Sequence, residues 1–262
     1  MGLIPIILLI VLIIGLCLLL YMLREAFLNV VVRHEFLFQD FPETFGRMTI
    51  FFISDIHKRT ISDKVIQTAI GKADFVVVGG DLTERDVPLQ RVKANLMKLR
   101  QIGPVYFVWG NNDYEANLHQ LHTVFLETDI NVLDNSAVSL HSNQGEKIFL
   151  LGVDDVTLGR DRLELALDRT EANHFKILVS HSPDIIKKVG TKQNIRLILS
   201  GHTHGGQIRL FGFSPGEKGG IKRVQQTVLF ISNGYGTTAI PLRLGAPAQC
   251  HLITVRKCSD TP

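Results

Sequence analysis

Along most of this chain, short apolar runs each end in a residue able to hold a proton or a metal ion. MTIFFIS (48–54) is followed by Asp55 and His57, DFVVVGG (74–80) by Asp81, VYFVWG (105–110) by Asn111, FKILVS (175–180) by His181, and IRLILSG (195–201) by His202 and His204. Runs this short, apolar throughout and rich in β-branched residues, fit strands buried on both faces. Helical patterns lie between them. Ser62 is an N-cap candidate for a helix to about residue 72, Leu89, Val92, Leu96 and Leu99 mark a second, and Leu118, Leu121 and Phe125 a third. Alternating strands and helices predict an α/β sheet, whose ligands bind beyond the carboxyl ends of the strands. Seven polar side chains from Asp55 to His204 can therefore meet at one end of the fold. Further short strands near 29–37, 131–133, 137–140, 147–153, 227–231 and 250–255, with a helix near 161–168, predict two sheets with helices outside.

The seven residues comprise four imidazoles, two carboxylates and one amide. That mixture suits zinc and also harder divalent ions such as manganese or iron. Seven ligands exceed what one ion with an open position uses, so two divalent metal ions are expected, with Asp81 as the candidate bridge. Two ions about 3.5–4 Å apart can clamp the attacking and leaving oxygens of a phosphoryl group. Singly, the motifs are weak: Asp55-Ile56-His57 also occurs as a surface pair, and Gly80-Asp81 as a strand-end turn. GHTHGGQ (201–207) is far more specific, since two histidines two apart, after a strand and before paired glycines, have few purely structural uses.

Residues 3–23 carry no charge, and sixteen of these twenty-one are Leu, Ile or Val. As a helix they reach roughly 30 Å, enough to cross a hydrocarbon core. Without Lys or Arg before the segment or a small-x-small site after it, an uncleaved single-pass anchor is expected over 1–23, with a soluble domain over 24–262. Arg24 and Arg33 follow the segment, and this count leans towards a cytoplasmic domain. The composition, 45% hydrophobic and 20% charged, excludes disorder as the main state. A net charge of +3, with no run of Lys and Arg longer than two, gives nucleic acid no electrostatic footprint. Three cysteines without ligand spacing suggest neither a disulfide framework nor a zinc knuckle, and no obligate protein partner is evident.

Taken in order, Asp55-Ile56-His57, Gly80-Asp81, Gly110-Asn111-Asn112-Asp113, His181 and Gly201-His202-Thr203-His204 resemble the calcineurin-like metallophosphoesterase superfamily. The GHTHGGQ wording, SNGYG (232–236) and Pro241-Leu242-Arg243 are similar to its bacterial YkuE/YaeI-like membrane-associated branch. The resemblance implies a four-layer α/β/β/α sandwich of two mixed sheets. It implies that Asp55, His57 and His204 hold one metal ion, that Asn111, His181 and His202 hold the other, and that Asp81 bridges. It further implies a phosphodiester or pyrophosphate substrate, lipid-linked or a nucleotide diphosphate, attacked in line by hydroxide held between the ions.

One residue departs from the pattern. Asn112 stands where the superfamily usually has a histidine beside the leaving oxygen, and an amide donates a hydrogen bond but no proton near neutral pH. Asn112 and Asp113 are therefore the candidate catalytic residues, with His119 and His122 as further candidates for that role. Asn112 and Arg243 are the candidate substrate-binding residues. Arg209, Lys218, Lys222 and Arg223 lie in a Gly-rich segment that can meet a phosphate or run in solvent. The alternative to an enzyme is a metal-binding scaffold or sensor with weak catalysis.

Overall fold

The computed structural model describes residues 2–214 and 216–258. Helix α1 (Leu3–Ala26) is long and apolar enough to cross a membrane, and none of its most apolar stretch is buried among the described residues. It runs three residues past the expected anchor, and those last residues are where it joins the domain.

Two six-stranded mixed sheets follow. The first has the order β1 (Val30–Phe38), β12 (Gln249–Lys257), β2 (Arg47–Ile53), β3 (Phe75–Gly79), β4 (Val105–Val108), β5 (Ile130–Val132). Strand β12 runs parallel to β1 and antiparallel to β2, and β2 to β5 are all parallel. The second has the order β10 (Gly220–Val224), β11 (Thr227–Ile231), β9 (Ile195–Ser200), β8 (Lys176–Val179), β7 (Lys147–Gly152), β6 (Ser136–His141). Its inner four strands are parallel and its outer two antiparallel to their neighbours.

Alternation within each strand builds the layers. In β2, Ile50 and Phe52 join Leu150, Ile177, Leu197 and Phe230 of the other sheet in the central core. Phe51 and Ile53 point the other way, with Val76, Val78 and Phe107, under α2 (Asp63–Ala69), α3 (Leu89–Arg100) and α4 (Leu118–Glu127). On the far side, Phe149, Leu151, Leu178 and Ile198 pack beneath α5 (Leu163–Asp168) and the 3-10 segment Pro183–Lys188. Inner strands buried on both faces read as continuous apolar runs for this reason. The result is the expected helix, sheet, sheet, helix sandwich. Parallel pairing sets Ile53 beside Val78 and Gly79 beside Val108, so the carboxyl ends of β2, β3 and β4 lie level at one edge.

Candidate metal centre

The chain turns sharply where each strand ends. Asp55, His57, Asp81, His202 and His204 all have positive φ, between 50° and 69°. This left-handed conformation is uncommon for residues with a Cβ, though Asp and His tolerate it better than most. Cross-strand hydrogen bonds hold the turns together: the Asp55 amide donates to Gly80 O at 3.0 Å, Ile56 to Asp81 O at 2.8 Å, and Gly201 to His181 O at 2.9 Å. Bare backbone is needed beside them. A Cβ on Gly110 would stand 2.3 Å from Asp81 Oδ1, and one on Gly80, whose φ is +84°, 2.6 Å from the His181 ring.

These turns bring Asp55, His57, Asp81 and His204 together, with one ligand atom of each within 4.8 Å of all the others. His57 Nε2 stands 3.1 Å from His204 Nε2 and 3.6 Å from Asp81 Oδ2, and His204 Nε2 stands 3.4 Å from Asp55 Oδ1. His181 Nε2 approaches Asp81 Oδ2 from another side at 3.2 Å, and the His181 and His202 rings meet edge to face at 5.0 Å. Ligands about 2.1 Å from a shared ion stand roughly 3–3.5 Å from one another, which is the spacing seen here. His181 Nε2 and Asn111 Oδ1 are buried without a hydrogen-bond partner among the described residues. Buried polar atoms are seldom left so unless an ion or water completes them. The residues therefore fit divalent metal.

The rings are oriented from behind. His181 Nδ1 faces Gly79 O at 2.9 Å, and His57 Nδ1 faces Glu84 Oε2 at 2.8 Å. Gly79 O accepts the Nδ1 proton of His181 and so turns Nε2 towards the centre, while the Glu84 carboxylate lies within ion-pair distance of His57 Nδ1. Electrostatics follow the same geometry in the metal-free protein. Burial alone would lower the His181 pKa, but Asp81 beside it reverses this and raises it to about 10. Burial lowers His204 to about 4, helped by His57 and Arg243. Burial would raise Asp81, yet His181 and His57 hold it well below the usual carboxylate range.

Two of the expected site residues are turned away from solvent. Arg243, expected to meet a substrate phosphate, is fully buried. Its guanidinium donates to the carbonyls of His204, Ala246, Asn233 and Gly236 and stands 3.3 Å from His204 Nδ1, so it braces the turn behind the centre. Asp113, expected to act on substrate, is equally buried and accepts from the amides of Asp81, Thr83 and Gly110 at 2.9–3.0 Å. Burial, reinforced by the Asp81 carboxylate, raises its pKa to about 7. It ties two strand-end loops together and has no free face. Asn112 is half-buried, its side chain donating to Asp81 Oδ2 at 2.6 Å. His119 and His122 lie exposed on α4. Arg209 donates to the carbonyls of Gly205 and Gly212, Lys222 pairs with Glu217, and Lys218 and Arg223 are exposed.

Sequence reasoning passed over three carboxylates. Glu84 lies three residues beyond Asp81, and Asp154-Asp155 follow β7 just as the other polar residues follow their strands. Asp155 is fully buried with Oδ2 unpartnered, while its Oδ1 accepts from the Leu158 amide at 2.8 Å. Their signal was the same, a carboxylate after an apolar run. Beside Glu84 opens a cavity of about 770 Å³ whose wall includes Lys58, Arg91, Phe27, Ala239 and Pro241.

Residues 48–206 match the calcineurin-like phosphoesterase family. A Bacillus subtilis relative named uncharacterized protein YpbG is 44% identical over 210 residues, covering 79% of this chain and 81% of that one. The uncharacterized metallophosphoesterase YkuE of Bacillus subtilis is 29% identical over 233 residues, covering 82% and 81%. A Bos taurus protein named transmembrane protein with metallophosphoesterase domain is 30% identical over 235 residues, covering 79% of this chain but 53% of that protein.

Proposed function

This chain belongs to the calcineurin-like phosphoesterase family, and on that premise we propose that it is a metal-dependent phosphohydrolase cleaving a phosphodiester or pyrophosphate bond. The observation that carries this is the convergence of Asp55, His57, Asp81 and His204 on one point, with His181 Nε2 beside Asp81 and the unpartnered Asn111 Oδ1 alongside, among the described residues. Asp55, His57 and His204 would hold one divalent ion, Asn111, His181 and His202 a second, and Asp81 both. When bound, such a pair polarises the phosphoryl group and makes water acidic enough to attack at neutral pH. Gly79 O would keep the proton of His181 on Nδ1, and the Glu84 carboxylate beside His57 Nδ1 would favour the same arrangement there. Asn112 offers an amide N–H beside the centre. With no proton to give there, the chain is suited to substrates whose leaving oxygen needs none, such as aryl phosphates and pyrophosphates. Arg91 in the adjoining cavity, with Lys58 there paired to Glu84, would place positive charge near the rest of the substrate. Helix α1 would tether the domain over 24–262 to a cell membrane, on the cytoplasmic side by the count of Arg24 and Arg33, close to lipid-linked substrates.

The test is metal content and bis(p-nitrophenyl) phosphate hydrolysis by the full chain in detergent, stripped by chelator and then supplied with Mn²⁺. About two ions per chain and metal-dependent turnover are expected, both impaired in Asp81→Asn with the far-UV spectrum unchanged. Turnover like that of the parent in Asp81→Asn, or no bound metal, would overturn the reading. The Asn112 amide engaged with Asp81 favours a second reading, a metal-binding scaffold with weak catalysis. Bound metal without turnover, restored by about 10²–10⁴-fold in Asn112→His, would select it.

A further inference from the structure

Helix α1 does not end in a loose linker. Its last turn is clasped by residues 243–248: the Arg243 amide donates to Met22 O at 3.2 Å, Gly245 to Glu25 Oε2 at 2.8 Å, and Ala248 to Glu25 O at 3.1 Å. On its other side, the Arg59 guanidinium donates to Ala26 O and Leu28 O, both at 3.2 Å. Segment 243–248 also carries the loop that follows the GHTHGG motif. Leu244 exchanges backbone hydrogen bonds with Gln207 and Arg209, both 2.8 Å, and the Gln207 side chain donates to Thr238 O and Ile240 O.

From Arg209 the chain folds into a tight turn closed by a bridge between Leu210 and Phe213. Phe211 and Gly212 both have positive φ, and the Arg209 guanidinium donates to Gly212 O at 2.7 Å. The turn is thus built and held, yet Phe211 is 91% exposed and Phe213 82%, with Leu210 and Ile240 exposed as well. Holding two phenyl rings in water by design is unfavourable unless another apolar phase covers them. One such phase is already implied at this side of the molecule, because the long apolar stretch of α1, unburied among the described residues, belongs to the helix whose last turn is clasped by 243–248. Exposed Arg24, in the last turn of α1, stands where headgroup phosphates would be. Aromatic and aliphatic side chains at that level suit the membrane interface.

We propose that the 210–213 turn, together with Ile240, inserts into the interfacial layer of the same bilayer that α1 enters, fixing the domain against the membrane at two points. This rests on the reading of α1 as a membrane anchor. Ala239 and Pro241, which line the cavity beside Glu84, are then brought to the headgroup level.

The test places the full chain in nanodiscs of phosphatidylcholine and phosphatidylglycerol carrying nitroxides at shallow or deep acyl positions, and follows single tryptophan additions against the parent, whose lone Trp109 is buried. Phe211→Trp is expected to shift to the blue and lose emission to the shallow nitroxide. Leu12→Trp, within α1, should lose emission to the deep one. Leu126→Trp, exposed on α4, should lose neither. Each variant is first checked for unchanged bis(p-nitrophenyl) phosphate hydrolysis in detergent, and Phe213→Trp serves if Phe211→Trp fails that check. Deep quenching of Leu12→Trp with Phe211→Trp no more quenched than Leu126→Trp overturns the insertion and leaves the anchor standing. A blue shift without lipid quenching, accompanied by a dimer, means a second copy covers the turn and also overturns it. No quenching of Leu12→Trp removes the anchor, and the insertion with it.

Discussion

Five of the seven residues proposed to hold metal sit in the left-handed region of backbone space. A side chain pays for that conformation in steric repulsion, of the order of 1 kcal/mol or more each, and such residues gather where function over-determines the geometry. Here Asp55, His57, Asp81 and His204 let strand ends fold back so that their side chains meet, and His202 packs its ring against His181. That Asp55, His57, Asp81 and His204 are polar residues placed to meet was legible in the sequence, because their chemistry is written in the residue type. Their partners were not. Glu84 is separated from His57 by 27 positions of unremarkable sequence, and only the turns after β2 and β3 bring its carboxylate to Nδ1. Because a carboxylate behind a metal-binding imidazole raises its basicity and fixes its proton, Glu84→Gln is expected to weaken metal binding roughly 10–100-fold with the fold retained. Calorimetric titration of stripped protein with Mn²⁺ measures this. An unchanged affinity would mean that Glu84 serves only its ion pair with Lys58. Arg243 shows the opposite case: a cation in a recognisable segment was expected to meet substrate, whereas the structure buries it and has it donate to five backbone carbonyls.

At the scale of elements, the inner strands were legible because burial on both faces leaves no room for polar residues between their ends. The edge strand β10 was not. All five of its residues are exposed, so GIKRV carries no apolar period, and it forms only because β11 offers an antiparallel partner after the tight turn at Gln225 and Gln226. A different consequence of pairing lies in the central core. Strands β1 and β12 set His34 Nε2 3.2 Å from His251 Nδ1, and His251 Nε2 meets Ser232 Oγ at 2.9 Å. Burial, with His34 alongside, holds the His251 pKa well below its ordinary 6.5. The unfolded chain then binds the proton more readily than the folded one. Stability contributed by the neutral ring is present above pH 6.5 and lost as the pH falls below it, by about 1.4 kcal/mol per pH unit. Urea unfolding between pH 7 and 5, monitored in detergent, should show a slope in the parent that becomes shallower by up to about this amount in His251→Gln. Equal slopes would show that other groups carry the acid sensitivity.

At the scale of the whole molecule, the junction between α1 and the sandwich decides how the centre is presented. Glu25 is buried there, its carboxylate accepting from the Gly245 amide and from Tyr21 Oη. Glu25→Ala is expected to cost about 1.5–3 kcal/mol of docking and to expose residues 26–29 to limited proteolysis, while leaving bis(p-nitrophenyl) phosphate turnover in detergent unchanged. Loss of turnover instead would tie α1 to the shape of the centre itself. By itself, the sequence determined the sandwich, the apolar helix and the seven polar residues at strand ends, because hydropathy period and ligand chemistry are local properties. Only the tertiary structure decided which atoms meet. Glu84 behind His57, Asp113 and Arg243 turned inward, and the exposed 210–213 turn beside α1 all depend on distances across elements far apart in the chain, and no local pattern encodes those.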